Sequence, residues 1–162
     1  MFHSRDLKQY LPHEFYRELS LELQHYLSQQ FISNLANSSS LLFHFLKNVN
    51  WVGFYLFDGK KLYLGPFHGK PACLEIALGK GVCGSAAEKM KTLIVPDVSK
   101  FPGHISCDSS TQSEIVIPMI YEQKLLGVLD IDSPSMDRFH LLDQKGLETI
   151  VLQIIKSSNI SQ

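Results

Sequence analysis

The sequence has almost no net charge. Its 162 residues carry a formal charge of −1, with 15 basic and 16 acidic side chains. A chain that binds nucleic acid or an anionic membrane through its overall field has an excess of lysine and arginine. The composition therefore indicates neither nucleic acid nor a membrane as a partner.

Long apolar stretches are also missing. No run approaches the roughly 18 apolar residues that a membrane span needs. The first eight residues lack the apolar segment of a secretory signal, so we expect a cytoplasmic protein. Hydrophobic residues make up 44% and charged residues 19% of the chain, which favours a folded core over disorder. The length is typical of a single domain, here residues 1–162.

Cysteine is scarce. The three cysteines are Cys73, Cys83 and Cys107, an odd number that excludes a fully paired disulfide framework within one chain. Their spacing is not that of a structural metal site, so we expect no metal. In the cytoplasm a disulfide is more often catalytic or sensing than structural. All three lie between Cys73 and Asp132, which favours a thiol redox site.

Hydrophobic periodicity predicts three main helices and six strands. The helices are expected over residues 11–30, about 34–47 and 139–155, with a short helix beginning near Cys83. The strands are expected over residues 50–57, 61–64, 73–78, 92–95, 114–121 and 124–132. Residues 65–71 and 98–113 are expected to be loops, and a long irregular loop such as the second is often functional.

The first strand alternates between two faces. Trp51, Gly53 and Tyr55 share one face, while Val52 and Phe54 share the other. Glycine between two aromatic residues leaves a gap, so Trp51 and Tyr55 could form an aromatic wall for a small ligand. Alternatively, these two side chains only pack the sheet.

Acidic residues occupy two apolar strands. Glu114 opens one strand, and Asp130 and Asp132 lie on one face of the other, about 7 Å apart. Their mutual repulsion is normally unfavourable. The pair could bind an ammonium group, or one member could stay protonated and act as an acid. The alternative is a solvated strand end.

The residues alone do not decide which thiol is reactive. Cys83 is expected near a helix N-terminus, where free backbone N–H groups favour a thiolate. Cys107 lies three residues after His104, which favours its thiolate when charged, and beside Asp108, which opposes it. A reactive and an inert Cys107 both remain open at this point.

Seven short motifs stand along the chain: NWVGFY at 50–55, GKPAC at 69–73, GKGVCG at 79–84, VPDV at 95–98, FPGHISCD at 101–108, SEIVIP at 113–118 and GVLDIDS at 127–133. Together they resemble the free methionine-R-sulfoxide reductases, which are GAF-domain enzymes. The resemblance covers about residues 14–155.

The resemblance implies an α+β fold of the GAF type, with an antiparallel sheet of about six strands flanked by N- and C-terminal helices. It implies that Cys107 attacks the substrate, Cys73 resolves the product into a disulfide and Cys83 is an auxiliary thiol. The residues alone favour Cys83 as the low-pKa thiol, and the resemblance overrides that preference. The substrate would contact Trp51, Tyr55, Glu114, Asp130 and Asp132.

The implied activity is thiol-dependent reduction of free L-methionine-(R)-S-oxide to methionine. Cys107 would become a sulfenic acid, and a Cys73–Cys107 disulfide would be recycled by NADPH-linked thioredoxin, with no bound cofactor. The resemblance also implies a homodimer. The alternative is a non-enzymatic GAF module that binds a small molecule or senses redox state, since most such domains bind ligands without catalysis.

Overall fold

The structure, a computed structural model, describes Leu7 and residues 10–104 and 108–160. Four α-helices and six β-strands follow one another in these ranges. The helices are α1 (Pro12–Gln24), α2 (Phe31–Phe45), α3 (Gly81–Lys89) and α4 (Leu141–Ser157). The strands are β1 (Trp51–Phe57), β2 (Lys61–Gly69), β3 (Glu75–Ala77), β4 (Leu93–Val95), β5 (Ser113–Tyr121) and β6 (Lys124–Ser133). A single 3-10 turn, Val98–Lys100, interrupts the long segment before β5.

The strands form one antiparallel sheet in the order β3-β2-β1-β6-β5-β4. The two edge strands have three residues each, whereas the four inner strands have seven to ten. The expected α+β fold with a six-stranded antiparallel sheet and flanking helices is confirmed. None of the helices in the described ranges is long and apolar enough to cross a membrane.

Each face of the sheet packs a separate core. Val52, Phe54 and Leu56 of β1 point toward α1, α2 and α4, where they join the larger apolar cluster. Trp51 and Tyr55 point to the opposite face and join a smaller cluster with α3. The alternation predicted for β1 is therefore confirmed, and the aromatic pair lies on the face away from the three long helices.

The first predicted helix is too long. It ends at Gln24, and α2 begins at Phe31 rather than at residue 34. The side chain of Asn34, which is fully buried, accepts a hydrogen bond from Ser28 N (2.8 Å) and donates one to Ser28 O (2.7 Å). These bonds satisfy backbone groups of the turn between α1 and α2. The apolar pattern continues through this turn and therefore does not indicate the end of the helix.

The loop predicted over residues 65–71 is wrong, because β2 continues to Gly69. Tyr55 pairs with Leu64 and Gly53 with Phe67, so β2 has one more residue than β1 between these two pairs. This bulge accommodates Pro66, whose missing N–H group would interrupt a regular ladder. The next strand is correspondingly shorter than predicted: β3 holds only Glu75–Ala77.

Candidate functional site

An aromatic stack forms one side of a pocket on the α3 face of the sheet. The Trp51 ring stacks with the rings of Tyr55 (centroids 5.8 Å apart) and Phe67 (5.4 Å). Trp51 Nε1 donates a hydrogen bond to Lys70 O (3.0 Å). Tyr55 is buried, and burial raises the pKa of its hydroxyl, with Asp130 adding to the effect. The aromatic wall is thus a rigid apolar surface with both polar groups neutral.

The register of three strands brings the acids together at the pocket floor. On β6, Asp132 pairs with Trp51 of β1 on one side and with Glu114 of β5 on the other. Asp130 lies two residues away on the same face. Glu114 is 5% exposed and Asp130 7% exposed, while Asp132 is half-buried. We call Glu114, Asp130 and Asp132 the acid cluster.

Burial raises the pKa of every carboxyl group in the acid cluster. Repulsion between neighbours adds to the shift: Asp132 acts on Glu114, Glu114 on Asp130, and Asp130 on Asp132. Asp130 Oδ1 is buried without a hydrogen-bond partner in the described part of the chain. These shifts favour protonated carboxyl groups at the floor, which can act as proton donors, and Asp130 Oδ1 is available to a ligand.

Cys83 lies in the first turn of α3, as predicted, but the expectation of a thiolate there is wrong. Burial raises the pKa of its thiol, and Asp130 and Glu114 raise it further. The thiol donates a long hydrogen bond to Glu114 Oε1 (3.9 Å). Loss of solvent and two carboxyl neighbours outweigh the favourable helix terminus.

The acid cluster and Cys83 also offer the geometry of a cation site. Cys83, Glu114 and Asp130 each place one ligand atom so that the three atoms lie within 4.8 Å of one another. A thiolate and two carboxylates would suit zinc, but all three groups favour their protonated forms, so a metal would have to displace protons. No local sequence pattern indicates this grouping, because its members come from α3, β5 and β6.

Cys73 is disulfide-bonded, and Cys83 is a free thiol. Cys73 lies just before β3 and packs against the smaller apolar cluster. Tyr55 Oη donates a hydrogen bond to Cys73 O (3.1 Å), which ties this segment to the aromatic wall. Cys107, predicted to be the attacking cysteine, lies outside the described residues.

Asp108 connects the segment before β5 to the segment before β3. Its carboxylate lies 3.0 Å from Lys70 Nζ and accepts a hydrogen bond from Ser110 N (2.9 Å). The hydrogen bond from Ser110 N is the largest cause, and Lys70 adds to it, of a pKa of Asp108 that is lowered to about 2. Asn50 Nδ2 donates to Thr111 Oγ1 (3.2 Å) from the end of the sheet. Two segments that the sequence places 38 residues apart are thereby joined over the pocket.

His104 lies beside the acid cluster. Its Nε2 lies 3.7 Å from Glu114 Oε2, and burial lowers its pKa. The predicted residues Trp51, Tyr55, Cys83 and the acid cluster all line the same pocket, together with His104 and Asp108. Sequence reasoning missed the structural part of Lys70 and Phe67, although Lys70 stands in the GKPAC motif.

Comparison with known proteins identifies relatives over most of the chain. Residues 22–157 match the GAF domain family. The free methionine-R-sulfoxide reductase of Escherichia coli is 43% identical over 145 residues, which are 88% of each chain. That of Saccharomyces cerevisiae is 48% identical over 134 residues, covering 78% of this chain and 74% of the relative. The X-ray structure of the Neisseria meningitidis free methionine-R-sulfoxide reductase in complex with its substrate superposes with a TM-score of 0.87 at 34% identity. That superposition covers 97% of this chain and 93% of the other.

Proposed function

The chain belongs to the free methionine-R-sulfoxide reductases, a family of GAF-domain proteins, and we propose that it reduces free L-methionine-(R)-S-oxide to methionine. The electrons come from the thiols of Cys107 and Cys73. The observation that carries the proposal is the acid cluster, whose carboxyl groups hold protons beside an aromatic wall. Cys73, which is disulfide-bonded, directly follows Ala72 of the pocket lining.

Sulfoxide reduction needs a nucleophile on sulfur and a proton for the departing oxygen. The Cys107 thiolate attacks the sulfoxide sulfur, and the oxygen passes to the cysteine as a sulfenic acid while methionine leaves. The acid cluster supplies the proton that balances this step. Its raised pKa values support that role, because a carboxyl group protonated in the resting pocket can act as a general acid.

The second step forms a disulfide. The Cys73 thiol attacks the sulfenic acid sulfur, water leaves, and a Cys73–Cys107 bond results. The disulfide-bonded state of Cys73 together with the free state of Cys83 supports this assignment. Cys83 then acts as an auxiliary thiol that hydrogen-bonds to Glu114 rather than as a nucleophile.

Substrate recognition combines the aromatic wall and the acid cluster. Trp51 and Tyr55 contact the methyl sulfoxide end, and carboxylates of the cluster bind the free ammonium group. A peptide-bound methionine sulfoxide lacks that ammonium group, so we expect the pocket to exclude it. Binding of a cation also favours ionisation of a carboxyl group that is protonated in the empty pocket.

Thioredoxin, reduced by NADPH, restores both thiols by disulfide exchange, and no bound cofactor is required. The protein acts as a homodimer in the cytoplasm. A thiol-based cycle suits a reducing compartment, and the dimer follows from the resemblance described above.

The test is NADPH oxidation coupled through thioredoxin, with the free R epimer, the free S epimer and a peptide-bound sulfoxide offered separately. We expect turnover with the free R epimer alone. Dithiothreitol replaces thioredoxin in a parallel assay, which measures the chemistry without the protein reductant.

Two matched pairs of variants separate catalytic groups from general effects of substitution. Cys107→Ser should abolish methionine formation, and Cys83→Ser should retain most of it. Asp130→Asn should lower turnover strongly, whereas Asp137→Asn, at an exposed position, should not. Full activity of Cys107→Ser would refute the proposed nucleophile, and a folded, reduced protein without any turnover would favour the ligand-binding module.

A further inference from the structure

The side chain of Leu74, next to the disulfide-bonded Cys73 in the chain, is large, apolar and exposed to solvent. Leu74 is 74% exposed, more than any other large apolar residue in the described ranges, and it directly follows Cys73. The charged residue next to it, Glu75, pairs with Lys61 on the neighbouring strand (2.7 Å). The surface at this point therefore presents the apolar side chain of Leu74, and the neighbouring charge of Glu75 is neutralised by Lys61.

The backbone under Leu74 is fixed. Leu74 O accepts a hydrogen bond from Leu64 N (2.9 Å), and Cys73 O accepts one from Tyr55 Oη (3.1 Å). Lys70 O accepts a bond from Trp51 Nε1 (3.0 Å). An exposed leucine on a mobile loop would gain little from binding, because ordering the loop opposes association. Here the hydrogen bonds already order the backbone around Leu74, so association does not have to order it.

The proposed reaction requires a protein to reach this spot. A reducing thiolate must approach a sulfur of the disulfide closely enough to form a bond, and access limits that attack. Cys73 is half-buried. Leu74 directly follows Cys73 and is exposed, so a protein surface that approaches the Cys73 sulfur passes next to Leu74.

We propose that Leu74 is the docking contact for a thioredoxin-like dithiol protein, which presents an apolar surface around its reactive cysteine and attacks the sulfur of Cys73. This inference rests on the proposed function for its disulfide. It adds the surface on which the reductant binds and the sulfur that it attacks.

The exchange is balanced in two steps. The first thiolate of the partner bonds to the Cys73 sulfur, the Cys73–Cys107 bond breaks, and its electron pair leaves on Cys107. The second thiol of the partner, as a thiolate, then attacks its own mixed-disulfide sulfur and releases Cys73 as a thiolate. The partner is oxidised to a disulfide by two electrons, and both cysteines of this chain are reduced.

The test compares two reductants on Leu74→Ser. We expect kcat/KM for thioredoxin to fall about tenfold, since serine removes an apolar contact that binding would bury. Turnover supported by dithiothreitol should not change. Leu74→Met should restore most of the thioredoxin rate. Leu141→Ser is the matched control, because Leu141 is 70% exposed at the start of α4.

A second measurement does not depend on the sulfoxide reaction. Oxidised protein is mixed with reduced thioredoxin in a single turnover, and the rate of disulfide reduction is recorded. A thioredoxin variant that lacks its second cysteine traps the mixed disulfide, and peptide mapping then identifies the attacked residue, which we expect to be Cys73. If no sulfoxide is reduced in any assay, the proposed function fails while this measurement still decides the docking surface.

Three results would overturn the inference. The first is an unchanged thioredoxin rate in Leu74→Ser. The second is an equal loss with dithiothreitol, or a changed oligomeric state, either of which would place Leu74 in the reaction or in a contact between copies. The third is a mixed disulfide on Cys107.

Discussion

A methyl group at position 53 has no room in the aromatic wall, so Gly53→Ala should displace the Trp51 ring. An ideal Cβ at Gly53 would approach both the Trp51 ring and the Cβ atom of Phe67 to under 3.0 Å, a distance that real Cβ atoms essentially never show. Phe67 pairs with Gly53 across β1 and β2, and its Cβ is fixed by the backbone. The strain therefore falls on the tryptophan.

The cost follows from the area that the ring would expose. A buried tryptophan covers about 150–250 Å², and Trp51 is 4% exposed. Expelling about half of that area, at about 25 cal/mol per Å², lowers the free energy of unfolding by about 2.5 kcal/mol. Alanine returns about 0.5–1 kcal/mol by restricting the unfolded chain. We expect a net loss of about 2 kcal/mol, close to the cost of overpacking a core.

Fluorescence can follow this ring without ambiguity, because the chain contains one tryptophan. In Gly53→Ala the emission of Trp51 should shift to longer wavelength, and urea denaturation followed by circular dichroism should give the loss of stability. Gly59→Ala is the control. A Cβ at Gly59 meets nothing within 4 Å, but its φ of +96° strains any other residue. It should lose about 1–2 kcal/mol with unchanged emission.

The reasoning would be refuted by a Gly53→Ala protein with parental emission and a free energy of unfolding within about 0.5 kcal/mol of the parent, the range of a neutral surface change. A lower stability with unchanged emission would also count against it, since the loss would then arise away from the aromatic wall.

Three further predictions concern groups around and below the site. Asp130→Asn should have the stability of the parent near pH 4 and become more stable than the parent as pH rises, because the raised pKa of Asp130 makes its ionisation oppose folding at high pH. Urea denaturation at pH 4 and 8 measures the difference in free energy of unfolding, and a larger gain at pH 4 would contradict the prediction. Asn34→Ala should lower the free energy of unfolding by about 1–2 kcal/mol, because it removes two hydrogen bonds to the backbone of the exposed Ser28. A melting temperature within about two degrees of the parent would exclude this loss. Lys70→Gln should raise the pKa of Asp108 from about 2. The pKa should still stay below the ordinary range, because the hydrogen bond from Ser110 N lowers it more than Lys70 does. NMR titration of the Asp108 carboxyl carbon measures the pKa in both proteins.

The sequence predicted those features that depend on a local repeat. Period-two alternation correctly divided β1 between two faces, and the same rule placed Asp130 and Asp132 together. The strands predicted over 114–121 and 124–132 leave only Glu122 and Gln123 between them, and both residues adopt positive φ, as tight hairpin turns require. These features need only the geometry of a strand.

Features that depend on distant partners escaped prediction. The end of α1 is set by Asn34, which follows it by ten residues and bonds back to the turn. The state of Cys83 depends on carboxyl groups of β5 and β6, which no local pattern connects to α3. Likewise, the sequence pattern predicts a loop at Pro66, because the bulge that accommodates this residue depends on the pairing of β2 with β1.

The short edge strands affect how the protein behaves when it is crowded with copies of itself. β3 and β4 each offer a neighbour only three residues of open backbone, too little for a stable extra strand. Next to them, the longer β2 and β5 extend past their short partners. Each extension contains a proline, Pro66 or Pro118, which cannot donate to an added strand. A foreign chain therefore finds no continuous ladder on either side, and the sheet should resist edge-to-edge aggregation.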